Sequence, residues 1–391
     1  MLHVRHVHQS RWSGRAGAAQ RTLCSSRYHV AHLHSTLGVY GAERWTLALI
    51  RHLDRREFEP IVISIGTKPG ADSFFRLLLC EGLPAEHISV PGKLNPRAVL
   101  QLRRLLLRYK IDILHTHGSK ADVLGYFATR KLSVRLVSTI HGWSSSEGLR
   151  IRVYEAIGRV FLKRFDCVYP LSPALLEDLL RCKFSPSRLH LILNGIDLSG
   201  LDYRFNKRRP GDALSVLFAG RICRPKGVFD LIRGFAKTRC SAPVRLTIVG
   251  AGPDRPEAEE LARKIGVADR VKFVGAVPSI APYLLESHVL VLPSYSEGIP
   301  RVVMEAFAAG VPVIGTAIPG MRQLVEHEIT GLLVPTGEPV SLASALERMC
   351  EDPELAQRMA SMARQVVNEK FSACRMADDF QEEYRRLCYM A

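Results

Sequence analysis

Short apolar runs alternate with amphipathic stretches along most of the chain. In the first half, runs at 28–33, 58–65, 111–115, 135–140 and 167–171 predict strands. Apolar residues three and four apart predict helices between them at 42–53, 71–81, 96–109, 121–131 and 149–165. The rhythm then restarts. Strands are expected at 215–218, 245–249, 271–274, 289–292, 311–316 and 331–334, with helices at 227–238, 255–265, 280–285 and 301–309. Helices at 353–369 and 373–387 follow. Strand, helix, strand in regular order predicts a parallel sheet covered by helices. Two such series predict an α/β fold of two Rossmann-like, doubly wound domains in tandem.

The stretch 201–212 is polar and gathers Lys207, Arg208, Arg209, Pro210 and Gly211, so the domain boundary is placed there. The expected organisation is a disordered basic extension over 1–27, an N-terminal domain over 28–200 and a C-terminal domain from 201 to 372. A chain of 391 residues, 47% hydrophobic and 24% charged, has the size and balance of two soluble domains. No apolar stretch approaches the length of a membrane-spanning helix. Nine cysteines without a Cys-x-x-Cys pair point to reduced thiols and a cytoplasmic location rather than a disulfide framework or a zinc site.

Charge changes this picture. The net charge is +16, of which residues 1–27 carry +5, residues 28–200 carry +9 and residues 201–391 carry +2. Residues 1–27 lack the continuous apolar core of a signal peptide. A basic N-terminal half suits an anionic partner: nucleic acid, an anionic membrane or a phosphorylated acceptor. A nucleic-acid binder should present aromatic stacking residues within its basic stripe, and the basic stretch 96–110 is instead Leu-rich, so no nucleic-acid partner is expected. Basic amphipathic helices instead suit peripheral attachment to the inner face of the plasma membrane.

Candidate chemistry sits where predicted strands run into helices. Ser296-Glu297-Gly298-Ile299-Pro300-Arg301 follows one strand, and Glu305 lies inside the helix that starts there. Amides at a helix start can hold phosphate, and the two carboxylates can accept hydrogen bonds from sugar hydroxyls. Gly220-Arg221 and Lys226-Gly227 place two cations at another strand end, where they can stabilise a departing diphosphate. No Asp-x-Asp occurs, so no metal and no cofactor is expected. Gly250-Ala251-Gly252-Pro253 marks a tight turn after a strand. In the first half, a glycine-bearing loop with Gly38, Tyr40 and Gly41 precedes Glu43. His115 and His117, then His141, stand at two successive strand ends. A metal there would need a further ligand, and the pattern supplies none.

Taken together and in this order, these segments resemble the retaining glycosyltransferases of family 4, which have the GT-B architecture. The Glu297–Glu305 spacing matches the family's Glu-x7-Glu motif, Gly220-Arg221 with Lys226-Gly227 matches its diphosphate segment, and Gly250, Gly252, Val274 and Gly275 match further blocks. Asn194-Gly195-Ile196-Asp197 matches the segment before the linker. The resemblance implies that the C-terminal domain binds a UDP- or GDP-sugar and the N-terminal domain a glycan or lipid-linked acceptor. Glu297 would contact the donor sugar, Glu305 the ribose, Arg221 and Lys226 the pyrophosphate, and His141 the transferred hexose. Gly298, Ile299, Pro300 and Arg301 would complete the donor site. Gly38, Tyr40 and Gly41 would form the phosphate and acceptor loop. The last helix, within 373–391, would cross back onto the first domain. Two positions depart from the pattern: Tyr40 replaces the first glycine of a Gly-Gly pair, and Gln323 stands where an acid is frequent. The rivals are a sugar-nucleotide epimerase of the same architecture and a nucleic-acid-binding protein.

Overall fold

The computed structural model describes residues 27–35, 41–66, 73–89, 95–142, 156, 158–198, 205–206 and 212–389. Gly38, Tyr40, nearly all of the 1–27 extension, residues 149–155 and 157 of the expected 149–165 helix and most of the 201–212 joint lie outside the described residues. Two six-stranded parallel sheets form. The first is built from β1 (Tyr28–His34), β2 (Phe58–Gly66), β3 (Ala85–Ser89), β4 (Ile113–His117), β5 (Arg135–Ile140) and β6 (Cys167–Pro170), in the order β3-β2-β1-β4-β5-β6. The second is built from β7 (Leu214–Ala219), β8 (Val244–Val249), β9 (Val271–Gly275), β10 (Val289–Leu292), β11 (Val313–Thr316) and β12 (Gly331–Val334), in the order β12-β11-β10-β7-β8-β9. Central strands β4, β10 and β11 are buried along their whole length, as parallel strands covered on both faces must be.

Helices α1 (Gly41–His52), α2 (Ser73–Cys80), α3 (Pro96–Arg108), α4 (Ser119–Thr129) and α5 (Pro173–Arg181) flank the first sheet. Residues 158–162 are also helical. With the second sheet come α6 (Val228–Lys237), α7 (Arg255–Lys264), α8 (Ala281–Leu285), α9 (Arg301–Ala309), α10 (Pro319–Arg322), α11 (Pro339–Glu351) and α12 (Pro353–Lys370). Three helices start on one local device, a capping side chain followed by proline. Asn95, Ser172 and Asp352 each accept from a first-turn amide, and Pro96, Pro173 and Pro353 come next.

One strand is displaced from its expected place. The run 111–115 predicts a strand, yet β4 begins at Ile113. Lys110 takes a left-handed conformation, φ 48°, and Ile111 N donates to Leu106 O at 2.9 Å. That pattern closes the end of α3, and Ile111 is its buried apolar contact. The shift draws both His115 and His117 into the strand.

The last helix, α13 (Ala373–Tyr389), lies against the first sheet. Met376, Phe380 and Tyr384 pack with Trp45, Phe58 and Tyr169 in one buried cluster. Arg385 pairs with Glu57 at 2.7 Å, and the Gln381 side-chain oxygen accepts from Asp54 N at 2.7 Å. Where the chain leaves the first sheet and where it returns, Ile196 N donates to Phe371 O at 2.9 Å and Ala373 N to Ile196 O at 2.8 Å.

Candidate functional site

In each sheet the strand order reverses at one place, and a crevice opens at the carboxyl ends of the strands there. In the second sheet the place lies between β7 and β10. The loop after β7 carries Gly220, Arg221 and Lys226, and the loop after β10 carries Ser294 to Pro300. The β7 loop is tied to the β8 loop by backbone hydrogen bonds from Gly220 N to Val249 O and from Ile222 N to Ala251 O, both 3.0 Å. A Cβ on Gly250 would stand 1.9 Å from Gly220 O, and one on Gly252 2.0 Å from Ile222 O, so both positions require glycine. These two glycines therefore shape the site by letting the loops touch. Gly275 O accepts from Gly250 N at 2.8 Å, and Val274 packs on the core.

Glu297 is the hub of the second loop. Its Oε1 accepts from Lys226 Nζ at 2.5 Å and from Ser294 Oγ at 2.7 Å. The Glu297–Gly298 carbonyls rest on Gly320 at the start of α10, where a Cβ would come within 1.7 Å of Gly298 O. Gly320 is thus a supporting residue that the motif reading passed over. Arg301 opens α9 and its Nη2 pairs with Glu305 Oε1 at 3.2 Å, one turn along. Arg301 Nη1 is buried with no partner among the described residues. Arg221 is exposed.

In the first sheet the reversal lies at β1, between β2 and β4, and it gathers histidines. His32 on β1 stands beside His115 on β4, and His34 beside His117. All four are almost fully buried. His115 is held on both sides, Nδ1 by the Tyr384 hydroxyl and Nε2 by Thr139 Oγ1, each at 2.7 Å. His34 Nε2 meets Thr46 Oγ1 at 2.9 Å, and Glu43 Oε1 lies 3.6 Å from His34 Nδ1. His141, after β5, packs edge-on against Trp45.

The sequence pattern offers no further metal ligand for His115 and His117; the fold supplies His32. Nitrogens of His32, His115 and His117 lie within 4.8 Å of one another. A second trio, Cys167, His190 and Glu383, meets the same limit. There Arg386 Nη2 already lies 2.8 Å from Glu383 and 3.9 Å from Cys167 Sγ, so a cation fills that corner.

A cavity of about 440 Å³ lies between the two sheets' loops. From the first half it is lined by Gly41, Trp45, His141 and Asn194, and from the second by Glu297, Gly298, Ile299 and Arg301. Asn194 Oδ1 is buried and lacks a partner among the described residues, as does Arg301 Nη1. Lys226 reaches the cavity wall through Glu297. Arg221, Glu305, Pro300, Gly220, Gly250, Gly252, Val274 and Gly275 stand behind or beside it rather than in its lining. Gln323 Oε1 is also buried without a partner among the described residues.

Comparison with known proteins gives a consistent picture. The family described as "Glycosyltransferase Family 4" matches residues 39–199, and "Glycosyl transferases group 1" matches residues 201–366. A D-inositol 3-phosphate glycosyltransferase from Xylanimonas cellulosilytica is 30% identical over 308 residues, spanning 70% of this chain and 73% of its own. An N-acetyl-alpha-D-glucosaminyl L-malate synthase from Bacillus anthracis is 26% identical over 286 residues, 71% of this chain and 75% of its own. The crystal structure of Anabaena HepE in complex with UDP superposes with a TM-score of 0.78 at 22% identity, covering 91% of this chain and 99% of that one.

The buried imidazoles set the acid stability. Burial lowers His32 and His141 to about 3, and His115 and His117 fall well below the ordinary value. Unfolded, these rings take up protons below about pH 6.5. Folded, they do not, so stability is lost as pH falls through that value. Asp122 acts in the opposite sense. Burial raises its carboxyl to about 7, with hydrogen bonds from Thr116 and Ser138 opposing the rise. The folded chain therefore binds that proton first, and acid favours it. The thermal midpoint is expected to fall from pH 7 to pH 5, and to fall more steeply in Asp122→Asn. Scanning calorimetry across that range checks both slopes; a flat profile contradicts the account.

Proposed function

The chain belongs to the glycosyltransferases of family 4, and on that premise we propose that it moves a hexose-type sugar from a UDP- or GDP-sugar to a glycan or lipid-linked acceptor, retaining the anomeric configuration. Polysaccharide or glycolipid biosynthesis is the setting. One observation carries this reading. A cavity of about 440 Å³ lined from both halves holds a buried guanidinium nitrogen, Arg301 Nη1, and a buried amide oxygen, Asn194 Oδ1, with no partner among the described residues. Unpaired buried polar groups are costly, and a ligand bearing both hydroxyls and negative charge satisfies a donor and an acceptor at once. The UDP in the Anabaena HepE structure supports a uridine donor.

In this reading residues 28–200 hold the acceptor and residues 201–372 the donor. The acceptor hydroxyl attacks the anomeric carbon on the face the diphosphate leaves. The bond from that carbon to the phosphate oxygen breaks, and the hydroxyl proton passes to the departing phosphate. No protein nucleophile is needed. The protein orients the reactants and stabilises the growing charge through Arg221, Lys226, Arg301 and the amides at the start of α9. Glu297 contacts the donor sugar and holds Lys226 in place. Glu305 reaches the ribose once Arg301 turns to the ligand. An epimerase would share the donor contacts but needs no acceptor pocket beside His141.

The acceptor side bears on location. Among the described residues no helix is long and apolar enough to cross a membrane. On α3, Leu100 and Leu107 are 57% and 58% exposed, and an apolar groove of about 450 Å³ runs between Val99, Leu100, Val123 and Phe127. Arg97, Arg104 and Arg108 lie on the same helix. Apolar side chains beside cations fit the boundary of an anionic bilayer, which supports a cytoplasmic enzyme peripheral to the inner face of the plasma membrane.

Three outcomes are expected. Transfer from the correct nucleotide sugar persists in excess EDTA, while Arg221→Ala lowers turnover about 100-fold or more with the fold intact; loss of activity that Mn²⁺ or Mg²⁺ restores removes the cation-based account. Glu297→Gln reduces sugar transfer more than binding of the free nucleoside diphosphate, and Glu305→Ala weakens both; calorimetric titration beside turnover reads the difference, and equal effects in the two variants reverse the assignments. The full chain co-sediments with anionic vesicles at low salt and is released by high salt, and Leu100→Ser with Leu107→Ser weakens the attachment; no preference for anionic over neutral vesicles leaves a soluble acceptor.

A further inference from the structure

Five imidazoles meet beneath the cleft, and His141 is the one that lines its cavity. Two contacts in the array stand apart. His32 Nδ1 lies 3.2 Å from His117 Nε2, and His117 Nδ1 lies 3.1 Å from His141 Nε2. The ring centroids of these pairs are 5.5 and 5.4 Å apart. Each centroid separation exceeds its nitrogen gap by about two ring radii, so the nitrogens lie on the line joining the rings. That is the geometry of an N–H···N hydrogen bond. It also leaves no place for a shared ion, since zinc needs about 2.0–2.1 Å to each nitrogen and the two lone pairs face each other.

A neutral imidazole has one donor and one acceptor nitrogen. The three rings therefore share one direction of donation, and His32 Nε2 ends the series. That atom is buried and has no partner among the described residues. It is left either with an unpaired N–H or with an unused lone pair. Buried orphan N–H groups are the rarer of the two in folded proteins. The proton then sits on Nδ1 of His32, which donates to His117, and on Nδ1 of His117, which donates to His141.

We propose that His117 and His32 are positioning residues that lock His141 as its Nδ1–H tautomer, so that His141 meets the ligand as a fixed hydrogen-bond donor and not as a base. The inference deepens the proposed contact of His141 with the transferred sugar and rests on that reading for its catalytic meaning. An N–H held toward a sugar oxygen orients the hexose without taking a proton from the acceptor, which agrees with a leaving phosphate as the base. The charged and titratable groups around His141 are Glu43 from α1, Arg301 from α9, His34 from β1 and His115 and His117 from β4. Burial, His34 and Arg301 favour the neutral ring and outweigh Glu43, which favours the charged one.

The test is long-range ¹H–¹⁵N correlation on the full chain with ¹⁵N-labelled histidine, which distinguishes the two ring nitrogens. His141 is expected as Nδ1–H, unchanged between pH 5.5 and 8. His117→Phe keeps a ring in the stack but breaks both hydrogen bonds. In that variant His141 shifts toward the Nε2–H form that free imidazole prefers, and kcat falls about tenfold while the Kd for the free nucleoside diphosphate is unchanged. His117→Gln, whose amide both accepts and donates, recovers part of kcat and of the tautomer signature. Should His117→Phe fail to fold, His32→Leu gives the same reading one link further away. Wild-type His141 found as Nε2–H, or a His141 signal that neither variant moves, overturns the proposal. So does stoichiometric Zn²⁺ binding that perturbs His32, His115 and His117 together. The tautomer is read without turnover, so it stands or falls apart from the proposed function, which fails instead if the wild type binds no nucleoside diphosphate.

Discussion

Tyr384 on the last helix hydrogen-bonds His115 in the centre of the first sheet, with both groups fully buried. Neither side can be removed cheaply, because the other would be left unpaired in an apolar interior. Around this bond Phe380 and Met376 fill the space over Trp45 and Tyr169. The chain is therefore committed to return to its first sheet after building its second. It does so beside its point of exit, where Ile196 bonds to Phe371 and Ala373. These two hydrogen bonds tie the outgoing and returning segments of backbone side by side. Arg44 on α1, donating to Pro278 O at 2.9 Å, touches across the opening. The geometry of the cavity depends on this double crossing, since Gly41, Trp45 and His141 on one wall and Glu297, Gly298, Ile299 and Arg301 on the other belong to different sheets.

The two walls are built on opposite electrostatic rules. The first-sheet wall is lined behind by imidazoles that burial keeps neutral, held in hydrogen bonds and aromatic contacts. The second-sheet wall carries ionised side chains in pairs, Lys226 with Glu297 and Arg301 with Glu305. A paired cation is a reserve. It is held in place without a ligand, and an arriving phosphate competes for it with a carboxylate that then turns to hydroxyls. On the proposed reading the neutral wall orients the sugar and the charged wall carries the diphosphate.

Much of this was legible in the sequence, and the gaps have physical reasons. The β-α alternation gave both sheets, and the Glu297–Glu305 spacing put Glu297 and Arg301 on the cavity. The misses are elements without a strong period. β3 is an edge strand, AEHIS, with one buried residue, so it lacks an apolar run. α5 carries a readable start in Ser172-Pro173 but follows so closely on β6 that the two merged into one apolar stretch. α11, with Leu342, Leu346 and Met349 buried at helical spacing, was legible and passed over. His32 and His34 were hidden because a strand of seven residues with a buried face reads as core, and polar side chains at alternate positions look like its solvent face. Only the register of β1 with β4 shows that they meet His115 and His117. Register is a long-range property that no local pattern contains.

The charge distribution acquires a sense from the same division. The C-terminal half of the chain, which the proposed reading gives to the donor, is close to neutral, and the excess of positive charge lies in the other half. A diphosphate does not require a basic domain. It requires a few donors at the right distance in a place poor in water, and the loop after β7 with the start of α9 supplies them locally. Net charge acts over about a Debye length and is screened by salt. It therefore serves an extended surface better than a single ligand. The positive half is also where α3 exposes leucines next to arginines. An excess that the nucleotide does not need, combined with apolar side chains left in water, is the physical ground on which the proposed reading sets the acceptor at an anionic interface.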